Sequence, residues 1–287
     1  MGMWWRVLRR RVRPARALLL ALLVLIAAAC DGAKTARGPF KILAGSENKT
    51  LEPILLDFCK SKGWTCEIKY LGSIDIKLAL EDPQLDADAV WPANSRWIEL
   101  GDRARRVKHS RSIMTSPVGW GIRDDVAQAL GLKNRKVTTA ELVDLVRAGK
   151  LKFLMTSATQ SNSGFSAYIG MVSALAGNPE VLTAEMLAAE PLRRDVAALL
   201  KGVERSAGSS GWLKDLYLEG AADGRYSAMV NYEAVLIEAN EELQRRALPP
   251  LYHVYPADGT ALADSPLGFV ARPLPDTADR EAFFIAL

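Results

Sequence analysis

The sequence predicts an α/β protein in which mostly parallel sheets are flanked by helices. Short apolar runs with strand character alternate with segments of helical periodicity, and small loops rich in Ser, Gly and Asn separate them. At residues 116–123 an extended segment with Pro and Gly, SPVGWGIR, interrupts the alternation, and a second run of the same kind follows. Alternating strands and helices are typical of parallel α/β sheets, so we predict two successive α/β regions.

The first 29 residues have the composition of a secretory signal. Residues 1–16 contain six arginines and no acidic residue, and residues 17–29 form an unbroken apolar run, ALLLALLVLIAAA. A helix that spans a bilayer needs about 20 apolar residues, so this run is too short to be one. A basic start, a short apolar stretch and small residues at its end predict a signal peptide over residues 1–29.

Cys30 follows the signal directly, and the stretch AAAC resembles the lipobox of bacterial lipoproteins. The resemblance implies that Cys30 is acylated and becomes the new N-terminus, with residues 30–39 as a tether to the membrane. Asp31 resembles the residue that keeps some lipoproteins at the inner membrane, which implies a periplasmic protein anchored there. The alternative is an ordinary cleaved signal followed by an incidental cysteine.

In the first α/β region, three strands alternate with three helices. The strands are predicted at residues 40–44, 65–70 and 87–91 because each is short, apolar and followed by a small polar loop. The first helix, over residues 51–60, has apolar residues at helical spacing, and two further helices are predicted from residue 76 and over residues 96–101.

The second region repeats the pattern. Helices are predicted over residues 139–148, 166–175, 182–203 (with a break at Pro191), from residue 209, and over residues 232–246. Strands are predicted at residues 152–155, 227–231, 251–256 and 267–271. We expect the strand at residues 251–256 to carry the chain back to the first region.

Charge and cysteine content limit the classes of function. Six of the 37 basic residues lie in the signal, so the remaining chain has 31 basic and 33 acidic residues, a net charge near −2. This balance gives no support to nucleic-acid binding. Cys59 and Cys66 remain besides Cys30; an oxidising compartment permits a disulfide between them, and two buried free thiols are the alternative.

Five loops with a common composition precede predicted helices. In an open α/β sheet, ligands bind beyond the carboxyl ends of the strands, where helix N-termini present free N–H groups. Hydroxyl and amide side chains added there form a neutral set of donors suited to an anion, although Ser and Asn before a helix are also ordinary caps. The candidate ligand-binding residues are Ser46, Ser73, Asn94, Ser95, Ser161, Ser163, Gly164, Ser210 and Tyr232.

These loops, in the blocks KILAGSENKTLEPIL, DADAVWPANSRWIELGD, KFLMTSATQSNSGFSAY, GSSGWLKDLYL, YSAMVNYEAVLIEAN and YPADGTALADSPLGFV, resemble the type II periplasmic solute-binding proteins of ABC transporters, in the group of phosphate, sulfate and molybdate binders. The resemblance implies a two-lobed fold, with residues 40–115 and 253–287 as one lobe and residues 116–252 as the other. It implies a monomer that captures a small ligand, an oxyanion among the candidates, without a cofactor, for an ABC permease or a membrane sensor. Relatives carry a further helix at the C-terminus, so we expect an unfinished last helix that exposes Phe283 and Phe284.

Motifs for catalysis are missing from the sequence. The chain has only two histidines, His109 and His253, too few for a zinc site built from several histidines. It has no Gly-x-Ser-x-Gly elbow and no phosphate-binding loop ending in Gly-Lys-Ser/Thr. We therefore expect a binding protein and not an enzyme. A signalling or envelope module that binds a protein partner is the first alternative, and an extracytoplasmic hydrolase, for which Glu47 or a serine would be essential, is the second.

Overall fold

The structure, a computed structural model, describes residues 38–287. The predicted signal, the predicted lipidation site Cys30 and most of the predicted tether lie outside these residues. Among the helices of the described part, none is long and apolar enough to cross a membrane.

Two sheets with their surrounding helices form the described chain. The first sheet contains β1 Phe40–Gly45, β2 Cys66–Leu71, β3 Ala89–Trp91, β4 Val107–Ser112 and β11 Pro266–Val270. The second contains β5 Ser116–Arg123, β6 Phe153–Met155, β7 Val203–Arg205, β8 Ala228–Tyr232, β9 Leu251–Val254 and β10 Leu262–Ala263. The α-helices are α1 Glu52–Ser61, α2 Ser73–Glu81, α3 Ser95–Gly101, α4 Asp124–Ala129, α5 Thr139–Arg147, α6 Asn162–Leu175, α7 Ala184–Ala188, α8 Glu190–Lys201, α9 Ser210–Gly220, α10 Glu233–Arg245 and α11 Thr277–Ala286. A 3₁₀ helix, Ser46–Leu51, precedes α1.

Both sheets are mixed, which corrects the prediction of mostly parallel sheets. The strand order is β2-β1-β3-β11-β4 in the first sheet and β10-β5-β8-β6-β7 in the second, with β9 also paired to β5. Strand β1 is parallel to its neighbours β2 and β3, and β6 is parallel to β7 and β8. Strands β5 and β11, where the chain crosses between the sheets, pair antiparallel with their neighbours.

Strand β9 does not return the chain to the first sheet as we expected. It pairs antiparallel with β5, with Trp120 opposite Val254 and Arg123 opposite Leu251. Strand β10 also pairs with β5, and the chain rejoins the first sheet only at β11. The division of the chain into lobes at residue 253 remains a prediction.

The core of the first sheet is closed by the C-terminal helix. Phe283 of α11 stacks on Trp64, with ring centroids 4.9 Å apart, and meets Phe40 of β1 edge to face at the same separation. Both Phe283 and Phe284 are buried, which corrects the expectation that they are exposed. A disulfide joins Cys59 at the end of α1 to Cys66 of β2, with their Cα atoms 6.1 Å apart, so the pairing that the sequence left open is present.

The core of the second sheet is larger and surrounds β5. Trp120 of β5 packs on Phe153 of β6, with ring centroids 4.5 Å apart, and both side chains are fully buried. The amphipathic helix α5 contributes Leu142 and Val143 to the same core. Thr138 caps this helix by accepting a hydrogen bond from the Glu141 backbone N–H, a role that threonine before a helix commonly has.

Candidate functional site

The loops at the carboxyl ends of the parallel strands from both sheets meet in one buried junction. The Oγ of Ser46, just after β1, accepts a 2.8 Å hydrogen bond from the backbone N–H of Gly211 in α9. The backbone N–H of Ile74 in α2 donates to the carbonyl oxygen of Gln160, before α6, at 3.2 Å. These bonds connect the two sheets through residues far apart in the chain, so the junction is closed in this structure.

Hydroxyl groups form a connected cluster on the side of the second sheet. Ser163 is fully buried, and its Oγ lies 2.8 Å from the hydroxyls of both Thr156 and Ser210 and 3.3 Å from that of Ser161. A hydroxyl both donates and accepts, so such a cluster can reorient its protons toward donors or acceptors. The structure thus brings the predicted residues Ser161, Ser163 and Ser210 together, and Thr156 joins them.

An amide connects this cluster to a tyrosine and to the first sheet. The Nδ2 of Asn162 donates to the hydroxyl of Tyr232 at 2.9 Å, while its Oδ1 accepts a 2.8 Å bond from the indole N–H of Trp97 in α3. Tyr232 is buried at the end of β8, and the pKa of its phenol is raised well above its ordinary value, first by burial and then by the charge of Glu47. The predicted Tyr232 is therefore at the junction and faces a carboxylate.

Three predicted residues lie at the junction's edge and have structural partners. Ser73 is buried, and its Oγ accepts a 3.0 Å bond from the Ala93 backbone N–H, which links two loops of the first sheet. Asn94 caps α3 by accepting from the Arg96 backbone N–H, and the backbone N–H of Ser95 donates to Asp264. Asn94 and Ser95 are only half-buried and make no described hydrogen bond to the hydroxyl cluster. As ligand contacts, these three remain predictions.

Glycines permit the close approach of backbones at this junction. A Cβ on Gly164, in the first turn of α6, would lie 2.2 Å from the carbonyl oxygen of Thr156. A Cβ on Gly72, before α2, would lie 2.1 Å from the carbonyl oxygen of Gln160 and 2.7 Å from that of Gly208. Because Gly164 has no side chain, α6 can pack against the end of β6. Because Gly72 has none, the two sheets can approach each other at this point.

A carboxylate is buried at this junction. Glu47, in the 3₁₀ helix after β1, is 8% exposed, and its carboxyl group folds back over Gly45, where an added Cβ would lie 2.0 Å from Oε1. Burial, with a smaller contribution from the charge of Glu238, raises the pKa of Glu47 to about 7. Glu47 is therefore poised to change its charge near neutral pH.

The sequence missed several polar residues of the junction. Asn48 and Ser209 are each at most 1% exposed, and Asn231 is fully buried and donates to the Ser210 carbonyl oxygen at 3.0 Å. Each is close to a predicted residue in the same loop or at the end of the same strand. The polar composition of these loops was therefore the sequence signal that could have identified them as candidate site residues. Burial, which sequence composition does not give, distinguishes them.

An open groove lies outside the junction, between α3 and α6. Its volume is about 660 Å³, and partly exposed apolar side chains line it, among them Leu100, Phe165 and Ile169. Because α3 belongs to the first sheet and α6 to the second, the groove is formed by both. Among the described residues, no group of three or more His, Cys, Asp or Glu side chains is arranged to hold a metal ion.

Solved structures of periplasmic binding proteins are similar to this chain. AfuA from Actinobacillus pleuropneumoniae, with fructose-6-phosphate bound, has a TM-score of 0.60 at 13% identity over 86% of this chain and 78% of that chain. The sulfate-binding protein SubI from Mycobacterium tuberculosis has a TM-score of 0.57 at 17% identity, covering 87% of this chain and 81% of that one. The molybdate-binding protein of Azotobacter vinelandii has a TM-score of 0.53 at 12% identity, covering 86% and 91%.

Neither a protein-family model nor a curated protein sequence matches the chain. At these low identities the structural similarity establishes the fold alone. The described residues have the α/β fold of the two-lobed periplasmic binding proteins, which confirms the fold predicted from the sequence.

Proposed function

We propose that this protein is a lipid-anchored solute-binding protein that captures a small ligand between its two lobes outside the cytoplasm. The basic and apolar leader with Cys30 at its end supports export and anchoring at the inner membrane. The anchored domain is proposed to act as a monomer, to bind without chemical turnover and to deliver its ligand to an ABC permease.

The observation that carries this proposal is the buried polar junction, to which both sheets contribute. Ser46 and Asn48 come from the first sheet, and Ser163, Ser210 and Tyr232 come from the second. All five are buried although they are polar, and such groups are stable inside a protein only when hydrogen-bonded. A small polar ligand held between the sheets would be surrounded by these groups and withdrawn from water.

The two sheets give this site a mechanism. A ligand that contacts both of them binds the closed arrangement better than the open one, so binding shifts the population toward closure. The direct bonds between the sheets, Ser46 to Gly211 and Trp97 to Asn162, would form at the same time and hold the closed state.

The groove between α3 and α6 supports the proposal that the protein binds a protein partner. It is formed by both sheets, so its shape depends on closure, and a permease that contacts it would distinguish closed from open protein. The same exposed apolar lining favours a second function, in which a membrane sensor or envelope protein binds this groove and no solute is transported.

A thermal-shift panel on the full chain in detergent tests the proposal. The panel contains sulfate, molybdate and phosphate, then fructose 6-phosphate, neutral sugars, amino acids and polyamines. A ligand at about a hundred times its Kd stabilises the folded state by about 2.7 kcal/mol, which raises the Tm measurably. We expect one saturable class of ligand. A flat panel on folded protein would contradict solute binding, and capture of a membrane protein that is lost in Phe165→Ser would then support the second function.

A further inference from the structure

Two buried acceptor atoms at the junction have no hydrogen-bond partner among the described residues. They are Oε1 of Glu47 and Oδ1 of Asn48, which are adjacent in the chain. The hydroxyl of Ser209, also at the junction, is likewise unpartnered, but it can donate as well as accept. The Nδ2 of Asn48 donates to the carbonyl oxygen of Trp91 at 3.2 Å, which fixes the amide so that its oxygen is the free atom. A buried acceptor without a donor costs about 1–3 kcal/mol, so two together mark a place where a donor is expected.

The charges around Glu47 do not provide that donor. The charged group that acts on it is Glu238, which has the same sign and raises the pKa of Glu47. Lys214 is engaged with that same Glu238 at 2.7 Å. The hydroxyl of Tyr232 accepts from Asn162 and makes no hydrogen bond to Oε1 of Glu47. Glu47 is thus an acceptor that no neighbouring cation compensates within the described chain.

We propose that the ligand itself donates hydrogen bonds to Glu47 and Asn48, and is therefore a small molecule that carries at least two O–H or N–H donors. This inference rests on the proposed function and narrows its ligand class. A fully deprotonated oxyanion such as sulfate or molybdate has only acceptor oxygens. With Glu47 ionised, it would leave both acceptors unpartnered and would place like charges together in a buried site, where repulsion is strong.

The hydroxyl cluster is compatible with this assignment. Ser163, Ser210 and Thr156 can donate to acceptor groups of the ligand, since each hydroxyl has both capacities. The first sheet then contributes hydrogen-bond acceptors to the junction, and the second sheet contributes hydroxyls that can either donate or accept. A polyhydroxylated molecule, with or without one anionic group, matches both sides.

The test measures the binding of two classes of probe at pH 8. Each probe is titrated into the unmodified full chain, into its Glu47→Gln variant and into Glu67→Gln, which is the matched control. Glu67 lies on β2 and is exposed, so its replacement changes the net charge equally without touching the junction. Sulfate and molybdate represent ligands without donors, and fructose 6-phosphate, neutral sugars and polyamines represent ligands with donors. Titration calorimetry gives the Kd of each.

We expect the unmodified chain to bind a donor-bearing probe and neither sulfate nor molybdate. Glu47→Gln should weaken that probe at least tenfold, because the amide loses the charge that strengthens the bond, and Glu67→Gln should leave it unchanged. Binding of sulfate or molybdate with equal Kd in the unmodified chain and in Glu47→Gln would overturn this inference while leaving the proposed function intact. A panel without any binder would overturn the proposed function and this inference with it.

Discussion

At the residue scale, Glu47 makes the stability of the protein depend on pH. Its pKa is about 7 in the folded protein, against an ordinary value of 4.5. A raised carboxyl pKa means that the folded state holds its proton more tightly than the unfolded chain does. The free energy of unfolding therefore decreases as pH rises from about 4.5 to about 7, and it is constant with respect to this group on either side.

Glu47→Gln should remove this pH dependence in the ligand-free protein. At about 1.4 kcal/mol for each pH unit, the variant should be more stable than the unmodified chain by on the order of 3 kcal/mol at pH 8 and equal to it at pH 4. Glu238 and Tyr232 also face Glu47, and both keep their own contribution in the variant. Urea unfolding at both pH values measures the difference. If the free energies of unfolding of the variant and the unmodified chain differed by the same amount at both pH values, this would contradict the titration of Glu47 in this range.

Ser163→Ala should destabilise the second sheet and its helices. The substitution removes a fully buried hydroxyl from contact with Thr156 and Ser210, which then lose a partner without access to water. We expect the free energy of unfolding to fall by about 1–3 kcal/mol. Ser173→Ala, a half-buried serine on the same helix with no described side-chain hydrogen bond, is the control. Equal unfolding midpoints for the two variants would show that the cluster contributes nothing to stability.

At the element scale, the sequence predicted the buried strands well and the edge strands poorly. Strand β1 differs from its prediction by one residue, because it is apolar and bounded by turn residues. Residues 116–123, predicted only as an extended segment, form strand β5. Strand β4, VKHSRS, was missed: it lies at the edge of the first sheet, five of its six residues are exposed, and nothing in its polarity indicates a strand. Strand β4 forms because it pairs with β11, which lies far along the chain, and the local sequence gives no sign of this pairing.

The start of α6 shows why the candidate site was only partly predicted. The helix begins at Asn162, four residues before the predicted start, so Ser163 and Gly164 belong to its first turn. The polar composition of TQSNSGF indicates a loop, but packing of Gly164 against β6 extends the helix through it. Loop composition identified Ser161 and Ser163, whereas the role of Asn162 as a bridge depends on Trp97 and Tyr232, which only the fold brings near.

The C-terminal helix α11 should be essential for the first sheet. Phe283 is 5% exposed and contacts the rings of Phe40 and Trp64. Phe283→Ala removes a large buried ring and leaves a cavity, for which we expect a loss of about 3–5 kcal/mol in the free energy of unfolding. Ile285→Ala, on the same helix but 54% exposed, should change it by less than about 1 kcal/mol. Chemical unfolding of both variants gives the comparison, and a Phe283→Ala protein as stable as Ile285→Ala would mean that α11 is dispensable.

At the scale of the whole molecule, the arrangement of the two sheets depends on contacts that sequence does not specify. Ser46 and Gly211 are 165 positions apart, and Trp97 and Asn162 are 65 apart. Each lies in the first turn of a helix, where helix capping explains the local composition equally well. The sequence therefore predicted which loops belong to the carboxyl ends of strands, while the closed junction with its buried Glu47 is visible only in three dimensions.

Closure itself can be tested at Gly72. Its backbone, with φ −73° and ψ 150°, suits alanine, so Gly72→Ala should leave the fold of each lobe intact. The added Cβ would lie 2.1 Å from the carbonyl oxygen of Gln160 across the junction, and the sheets must separate to relieve this contact. We expect at least a tenfold weaker Kd for whichever probe the panel identifies and a larger radius of gyration by small-angle scattering at saturating ligand. Gly170→Ala, where an added Cβ meets nothing within 4 Å, should retain both values. If Gly72→Ala also retained them, ligand binding would not require the closed arrangement, and the junction would be a structural interface and not a binding site.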